Sequence, residues 1–205
     1  TLGLDKVDVL MLHRASHLKK ANGAILNELK LLRDDDIIGE IGVSIQNPKE
    51  LEEAICLDDI SVIQMPFNIL DHRWDSLVPL VVEEKKKRRL LVHARSSLLQ
   101  GLLQSENASI WEKAHLNDSA EIRGWLACKR RLLNKNSIAD LCIGYVNSQP
   151  WIDSVVIGVD SLSQLDSNLQ TVSLPLIELG TLNKINMTKP KIPESTLDPA
   201  NWNKK

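Results

Sequence analysis

The stretch VDVLMLHRAS, residues 7–16, runs almost wholly apolar through Leu12 and then turns abruptly to His13, Arg14 and two small residues. A short apolar run that ends in polar side chains reads as a strand buried on both faces, as in a parallel sheet covered by helices. In a parallel barrel the reactive groups lie at the carboxyl ends of the strands. His13 stands at one such end, so this stretch raises the fold and the chemistry together.

Outward from it the pattern repeats. IGEIGVS (Ile38–Ser44), SVIQMPF (Ser61–Phe67), LLVHARS (Leu90–Ser96) and SVVIGV (Ser154–Val159) read as four further strands. Between them lie helical patterns. ANGAILNELKLLRDD places Ile25, Leu29 and Leu32 on one face. NPKELEEAI offers Asn47 as N-cap, Pro48 at the first helical position and Glu50 three residues past the cap, with Leu51, Ala54 and Ile55 facing the core. In WDSLVPLVVEEKKKRR, Pro79 argues for a late start or a kink. LLQGLLQSENASIWEKAHLN reads as a loop with a short helix. In DSAEIRGWLACKRRLL, Asp118 and Glu121 have capping-box spacing. NSIADLCIGYVNSQP aligns Ile138, Leu141, Cys142, Tyr145 and Val146. SLSQLDSNLQTV carries Ser161 and Gln164 as a capping pair and turns Leu162, Leu165 and Leu169 inward. From Pro175 the chain is polar and proline-dotted, so residues 175–205 are expected as a tail over a single domain spanning 1–205.

Alternating strands and helices imply an α/β fold with a parallel sheet. No GxGxxG occurs, which favours a (β/α) barrel over a doubly wound sheet. Five strands are legible where a closed barrel has eight. The expectation is a partial (β/α)₈ TIM barrel with three strand–helix units missing, so that either the chain is a fragment or it pairs with something.

Bulk composition narrows the function classes. Of 205 residues 43% are hydrophobic and 25% charged, with net charge -2 and pI near 6.2. That balance favours neither nucleic acid nor an anionic membrane. No apolar run approaches a membrane span and no signal-peptide pattern opens the chain. Cys56, Cys128 and Cys142 are odd in number and not at metal-ligand spacing, so they read as reduced, buried thiols of a cytoplasmic protein, with no metal site. EKKKRR (Glu84–Arg89) reads as a solvated helix end and the five tryptophans as core or pocket wall.

At the strand ends stand His13, Ser44, Gln64, Arg95 with Ser96, and Gly158 with Val159 and Asp160. Gln64 interrupts an apolar run, and a buried amide must hydrogen-bond to something, a flat polar ligand being one candidate.

The order VDVLMLH, GEIGVS, VIQMPFNILDHR, HARSSLLQGLL and VVIGVDSLSQLDSNL resembles the aldo-keto reductases over essentially the whole chain. The resemblance implies a (β/α)₈ barrel that binds NAD(H) or NADP(H) and transfers hydride between the nicotinamide and a small-molecule aldehyde, ketone or alcohol. His13 then matches the histidine that hydrogen-bonds the substrate oxygen. The family's proton donor is a tyrosine tuned by a lysine and an aspartate, all from the first three strands. Tyr145, in mid-helix, does not match it. Ser44 and Gln64 match the residues that bind the carboxamide, although Ile45 replaces the asparagine that often follows the serine. Arg95 stands where many members place an aromatic ring. Ser96, Leu98 and Gln100 match the loop around the pyrophosphate. Gly158, Val159, Asp160 and Ser161, with Gln164 and Asn168, match the strand end and helix start that hold the adenosine. Asp71 and His72 match a structural loop of the family. The stretch from Gly158 to Asn168 has no Lys or Arg, so NAD(H) is the expected choice. The rival reading is a non-catalytic binding or regulatory subunit of the same fold; a third, of little weight, has the chain dimerise to complete a sheet.

Overall fold

The computed structural model describes residues 3–202. They form two compact units: one runs to Pro66 and includes Arg73–Ala94, the other comprises Phe67–His72 and everything from Arg95 on.

The first unit carries β1 (Val7–Leu12), α1 (Ala24–Asp34), β2 (Ile38–Ser44), α2 (Pro48–Ile55), β3 (Ile60–Pro66), α3 (Val78–Lys87) and nearly all of β4 (Leu91–Arg95). The strands lie side by side in chain order. β1 and β2, and β2 and β3, are parallel, with Leu12 opposite Val43 and Ser44 opposite Gln64. Because side chains alternate along a strand, Ile41 and Val43, both 0% exposed, share one face of β2 while Glu40, Gly42 and Ser44 share the other. The α2 expectations hold in full: the Asn47 side chain accepts the Glu50 N–H at 3.0 Å, Glu50 accepts the Gln46 N–H at 2.7 Å, and Leu51, Ala54 and Ile55 are buried. On α1 Leu29 is buried with Leu26, while Ile25 and Leu32 are half-buried. α3 begins beside Pro79, where a missing N–H costs nothing.

The basic run that ends α3 is not wholly solvated. Arg88 donates to the carbonyls of Ile60 at 2.6 Å and Ile55 at 2.9 Å, and to Glu84 at 2.7 Å, tying three elements together. Arg89 donates to Glu40 at 2.8 Å. Burial pushes the Glu40 carboxyl up, but the bonds from Arg89 and Ser61 outweigh it and hold it below its ordinary range.

Gly39 marks the tightest point of the β1–β2 pair. A Cβ there would lie 2.6 Å from the backbone oxygen of Asp8. Gly39→Ala is therefore expected to push the strands apart and destabilise the chain by about 1–3 kcal/mol, read as a lower denaturation midpoint. An unchanged midpoint would mean that β1 yields freely.

The second unit carries α4 (Ala108–Lys113), α5 (Ala120–Leu132), α6 (Ile138–Asn147), β5 (Ser154–Val155), α7 (Leu162–Val172), α8 (Leu179–Thr188) and α9 (Glu194–Leu197). Its centre is α6, buried on nearly every side from Asp140 to Val146. Phe67 stacks on Tyr145 at 5.9 Å and meets Trp151 edge-on at 5.0 Å. Asp71 is fully buried, and its carbonyl accepts from Lys189 at 3.0 Å.

Five expectations are corrected. The fifth strand stops at Val155: Val156 and Val159 are exposed, and the Asp160 N–H is taken by Gln164 Oε1 at 2.7 Å rather than by a strand. Asp118 and Glu121 form no full capping box: the Asp118 carboxylate accepts the Ala120 N–H at 3.3 Å, but among the described residues Glu121 makes no bond back to the Asp118 N–H. Leu162, Leu165 and Leu169 point outward, 80%, 39% and 54% exposed. α7 instead buries Thr171, whose hydroxyl donates to Asp140, so its polar side faces in. The segment after Pro175 holds α8, which buries Leu182 and Ile185 one turn apart. Cys56 and Cys128 are exposed, at the end of α2 and on α5; only Cys142 is buried, and desolvation pushes its thiol up.

Candidate functional site

In the first unit the parallel register places the expected residues. β1 ends at Leu12 opposite Val43, so His13 and Ser44 are the next residues along paired strands, and Ser44 pairs with Gln64 on β3. The Ile45 N–H donates to the Gln64 carbonyl at 2.9 Å, which fixes the two strand ends against each other. His13 is exposed, and Ser44 and Gln64 are half-buried. Gln64 is thus less enclosed than its apolar surroundings suggest. No hydrogen bond to the side chain of His13, Ser44 or Gln64 occurs among the described residues. A hydroxyl and an amide held side by side without protein partners can serve one ligand that both donates and accepts.

In the second unit a cavity of about 570 Å³ gathers Ser96, Leu98, Gln100, Gly158, Asp160, Gln164 and Asn168. These are seven of the residues read from the sequence. Val159 and Ser161 flank the cavity without lining it, since the Ser161 hydroxyl caps α7 by accepting the Gln164 N–H at 3.2 Å. Arg95 lies at the end of β4, with its guanidinium 3.4 Å from the Ser96 hydroxyl. The loop from Ser96 to Gly101 turns through left-handed backbone at Ser96 (φ 63°), Leu99 (48°), Gln100 (52°) and Gly101 (83°). Three of those four are not glycine, a strained state that persists only where surrounding structure enforces it. Buried Leu99, Leu102 and Leu103 supply that hold.

The cavity also takes in Ser97, Gly101, Gln104, Ala139, Val156, Ile157 and Ser167, which the sequence reading did not single out. Helical spacing would have found Ser167, since residues 167 and 168 both lie one turn beyond Gln164. Ala139, at the start of α6, carries no such signal. Among the described residues Asp160 is the one charged member of the lining. A dinucleotide fits this inventory: hydroxyls and amides for ribose and base, small residues for close approach, and the start of α7 oriented toward negative charge.

Among the described residues no three His, Cys, Asp or Glu come together as a metal site. No helix among them is long and apolar enough to cross a membrane.

Comparison with known proteins matches this geometry to one fold. The chain is similar to the aldo-keto reductase AKR11C1 from Bacillus halodurans, with TM-score 0.71 and 19% identity over 94% of this chain and 65% of that one. It is similar to the glycerol dehydrogenase AKR11B4 from Gluconobacter oxydans, with TM-score 0.66 and 17% identity over 97% of this chain and 63% of that one. A sequence relative, the uncharacterized oxidoreductase YqkF of Bacillus subtilis, is 23% identical over 178 residues, 84% of this chain and 56% of that protein. The chain thus spans less than two thirds of the length of these relatives. Its five strands with covering helices are a portion of a (β/α)₈ barrel. The sequence profile of the Aldo/keto reductase family covers residues 1–185, and by that match the chain belongs to the aldo/keto reductase family.

Proposed function

We propose that the chain supplies the cofactor-binding part, and the substrate histidine, of an NAD(P)-dependent oxidoreductase acting on an aldehyde, ketone or alcohol. The observation that carries this reading is the second-unit cavity, where seven residues assigned to the dinucleotide converge. Ser44 and Gln64 would hold the carboxamide by one hydroxyl and one amide. Ser96, Leu98 and Gln100 would surround the pyrophosphate, and Asp160, Gln164 and Asn168 the adenosine. The nicotinamide, when bound, supplies or accepts hydride. His13 would orient the substrate oxygen by a hydrogen bond, a positioning worth much of the barrier when geometry is held. Free thiols at Cys56, Cys128 and Cys142 suit a cytoplasmic setting.

A second reading is a cofactor-binding protein without turnover. The single tyrosine of these 205 residues, Tyr145, is 1% exposed and donates its hydroxyl proton to Asn186, so turnover would need a proton donor other than Tyr145.

The dinucleotide should be NAD(H). Among the described residues no cation lines the cavity, and Asp160 would repel a 2′-phosphate while accepting a bond from a free 2′-hydroxyl. Two charges about 4 Å apart in water interact strongly enough for roughly fivefold in affinity. The 205-residue chain is therefore expected to bind NADH at least about fivefold tighter than NADPH, with Asp160→Arg narrowing or inverting the ratio. Titration by cofactor fluorescence checks both. Failure to bind either cofactor would sink the assignment, and NADPH selectivity untouched by the substitution would remove Asp160 from the ribose.

A further inference from the structure

We propose that the substrate taken at His13 is anionic, a carbonyl compound whose carboxylate or phosphate is held by Arg14. This rests on the oxidoreductase reading and adds the substrate class to it.

The observation is the charge of the loop that begins at His13. Between β1 and α1 the chain reads HRASHLKKANG, residues 13–23, with Arg14, Lys19, Lys20 and two histidines and no Asp or Glu. The loop is anchored, not loose. Ala15 and Leu18, each 4% exposed, plug it into the first unit. The His17 N–H donates to the Arg14 carbonyl at 3.0 Å, so the chain coils back directly after His13. Further on, Ala21 (φ 51°) and Asn22 (φ 52°) precede Gly23 (φ 81°) in left-handed backbone. For alanine that state is strained, and it persists only where the surrounding structure enforces it.

What remains outside is cationic. His13, Arg14, Lys19 and Lys20 are exposed, and His17 is half-buried. The acidic group that meets the loop is Glu53 of α2, and Lys19 pairs with it at 2.9 Å. Its neighbour Glu50 is turned to the Gln46 N–H. Among the described residues the side chains of Arg14 and Lys20 form no hydrogen bond or ion pair. Positive charge is therefore left uncompensated next to His13, in a protein whose net charge is -2. The second-unit cavity is lined by the opposite sign. Arg14 directly follows His13 in the chain, and a guanidinium suits a bidentate carboxylate or phosphate on the substrate whose oxygen His13 takes. The flanking cations add a field that draws such a molecule in.

The test measures binding to the 205-residue chain, with and without NADH, so that it does not depend on turnover. The probes are 4-formylbenzoate, 4-formylphenyl phosphate and the neutral methyl 4-formylbenzoate, followed by calorimetry and by the His13 ring resonance. The better of the two acids should bind at least about tenfold tighter than the ester, as a charge-assisted bond would give. That advantage should shrink as ionic strength rises. Arg14→Ala should abolish it, and Arg14→Lys, which preserves charge, should retain part of it. Comparison of the two acids then distinguishes carboxylate from phosphate. Equal binding of the ester, an unchanged advantage in Arg14→Ala, or an identical His13 shift with benzoate, which lacks the carbonyl, would each overturn the proposal. Loss of NADH binding with the anion effect intact would instead overturn the cofactor assignment.

Discussion

The 205-residue chain is expected to bind NADH and yet to reduce carbonyl substrates at no detectable rate. Carbonyl reduction needs a proton delivered to the substrate oxygen as hydride arrives, and positioned acid catalysis of this kind contributes typically 10²–10⁴-fold. The family resemblance gives that task to a tyrosine. The one tyrosine here is enclosed in α6, packed against Phe67 and bonded to Asn186. It has no route to a substrate. His13 alone is a poor substitute, because its expected role is to orient the oxygen. The measurement is NADH oxidation in the presence of a panel of aldehydes, beside a fluorescence titration of NADH on the same sample. Turnover that disappears in His13→Ala would show that the histidine is the acid. Binding without turnover would agree with the non-catalytic reading for this chain as it stands. A longer protein holding the tyrosine, lysine and aspartate would decide between that reading and the enzyme.

The sequence shows the first unit more faithfully than the second, and the reason is physical. β1, β2 and β3 are buried parallel strands, whose unbroken apolar runs end where the ladder ends. α2 carries its start signals within four residues, from Asn47 to Glu50, and both capping bonds form. In the second unit the signals compete. SVVIGV has the composition of a strand over six residues, but only Ser154 and Val155 are in the ladder. Composition records a preference for extended backbone; pairing decides whether a strand exists. Asp118 and Glu121 have capping-box spacing but only the Asp118 half of the box forms, while Ser137 and Asp140, nineteen residues on, make a complete one. α7 shows the same conflict at the level of packing. Its leucines follow helical spacing, yet Thr171 and Asn168 turn inward because a buried hydroxyl bond to Asp140 and a polar cavity lie on that side.

The cavity was legible where residues sit in sequence motifs and illegible where they meet only through tertiary structure. Ser96 to Gln100 and Gly158 to Asn168 are continuous stretches, and both reach the cavity. Ala139 and Gln104 belong to neither stretch, so no local pattern announces them. Arg14 was passed over for another reason. A single arginine is unremarkable in sequence, and its meaning comes from there being, among the described residues, no acid that pairs with it.

Trp111→Ala should cost about 3–5 kcal/mol, the usual range for removing a buried aromatic ring. Trp111 lies on α4 and is 0% exposed. Its indole N–H donates to the Ser105 carbonyl at 2.9 Å, and its own carbonyl accepts from Leu116 at 2.9 Å. The ring thus pins the start of the segment 104–117 at Ser105, while the bond from Leu116 is to the backbone and survives in either variant. Two losses combine in the alanine variant: the cavity left by the ring and an unpartnered carbonyl at Ser105. Trp111→Phe separates them, because it fills most of the volume and removes only the donor. It should cost about 1–2 kcal/mol, mostly the missing hydrogen bond. Far-UV circular dichroism in urea gives both values. The functional consequence follows from adjacency, since Gln104, which lines the cavity, directly precedes Ser105. NADH affinity should therefore fall in Trp111→Ala under conditions where the variant is still folded, and much less in Trp111→Phe. A cost below about 1 kcal/mol for the alanine variant would mean that the segment is held by other contacts and that Trp111 only covers it. A full cost with unchanged NADH affinity would separate the stability of the loop from the shape of the cavity, and Gln104 would then owe its position to the 3₁₀ turn at Leu102–Gln104 rather than to the tryptophan beneath the loop.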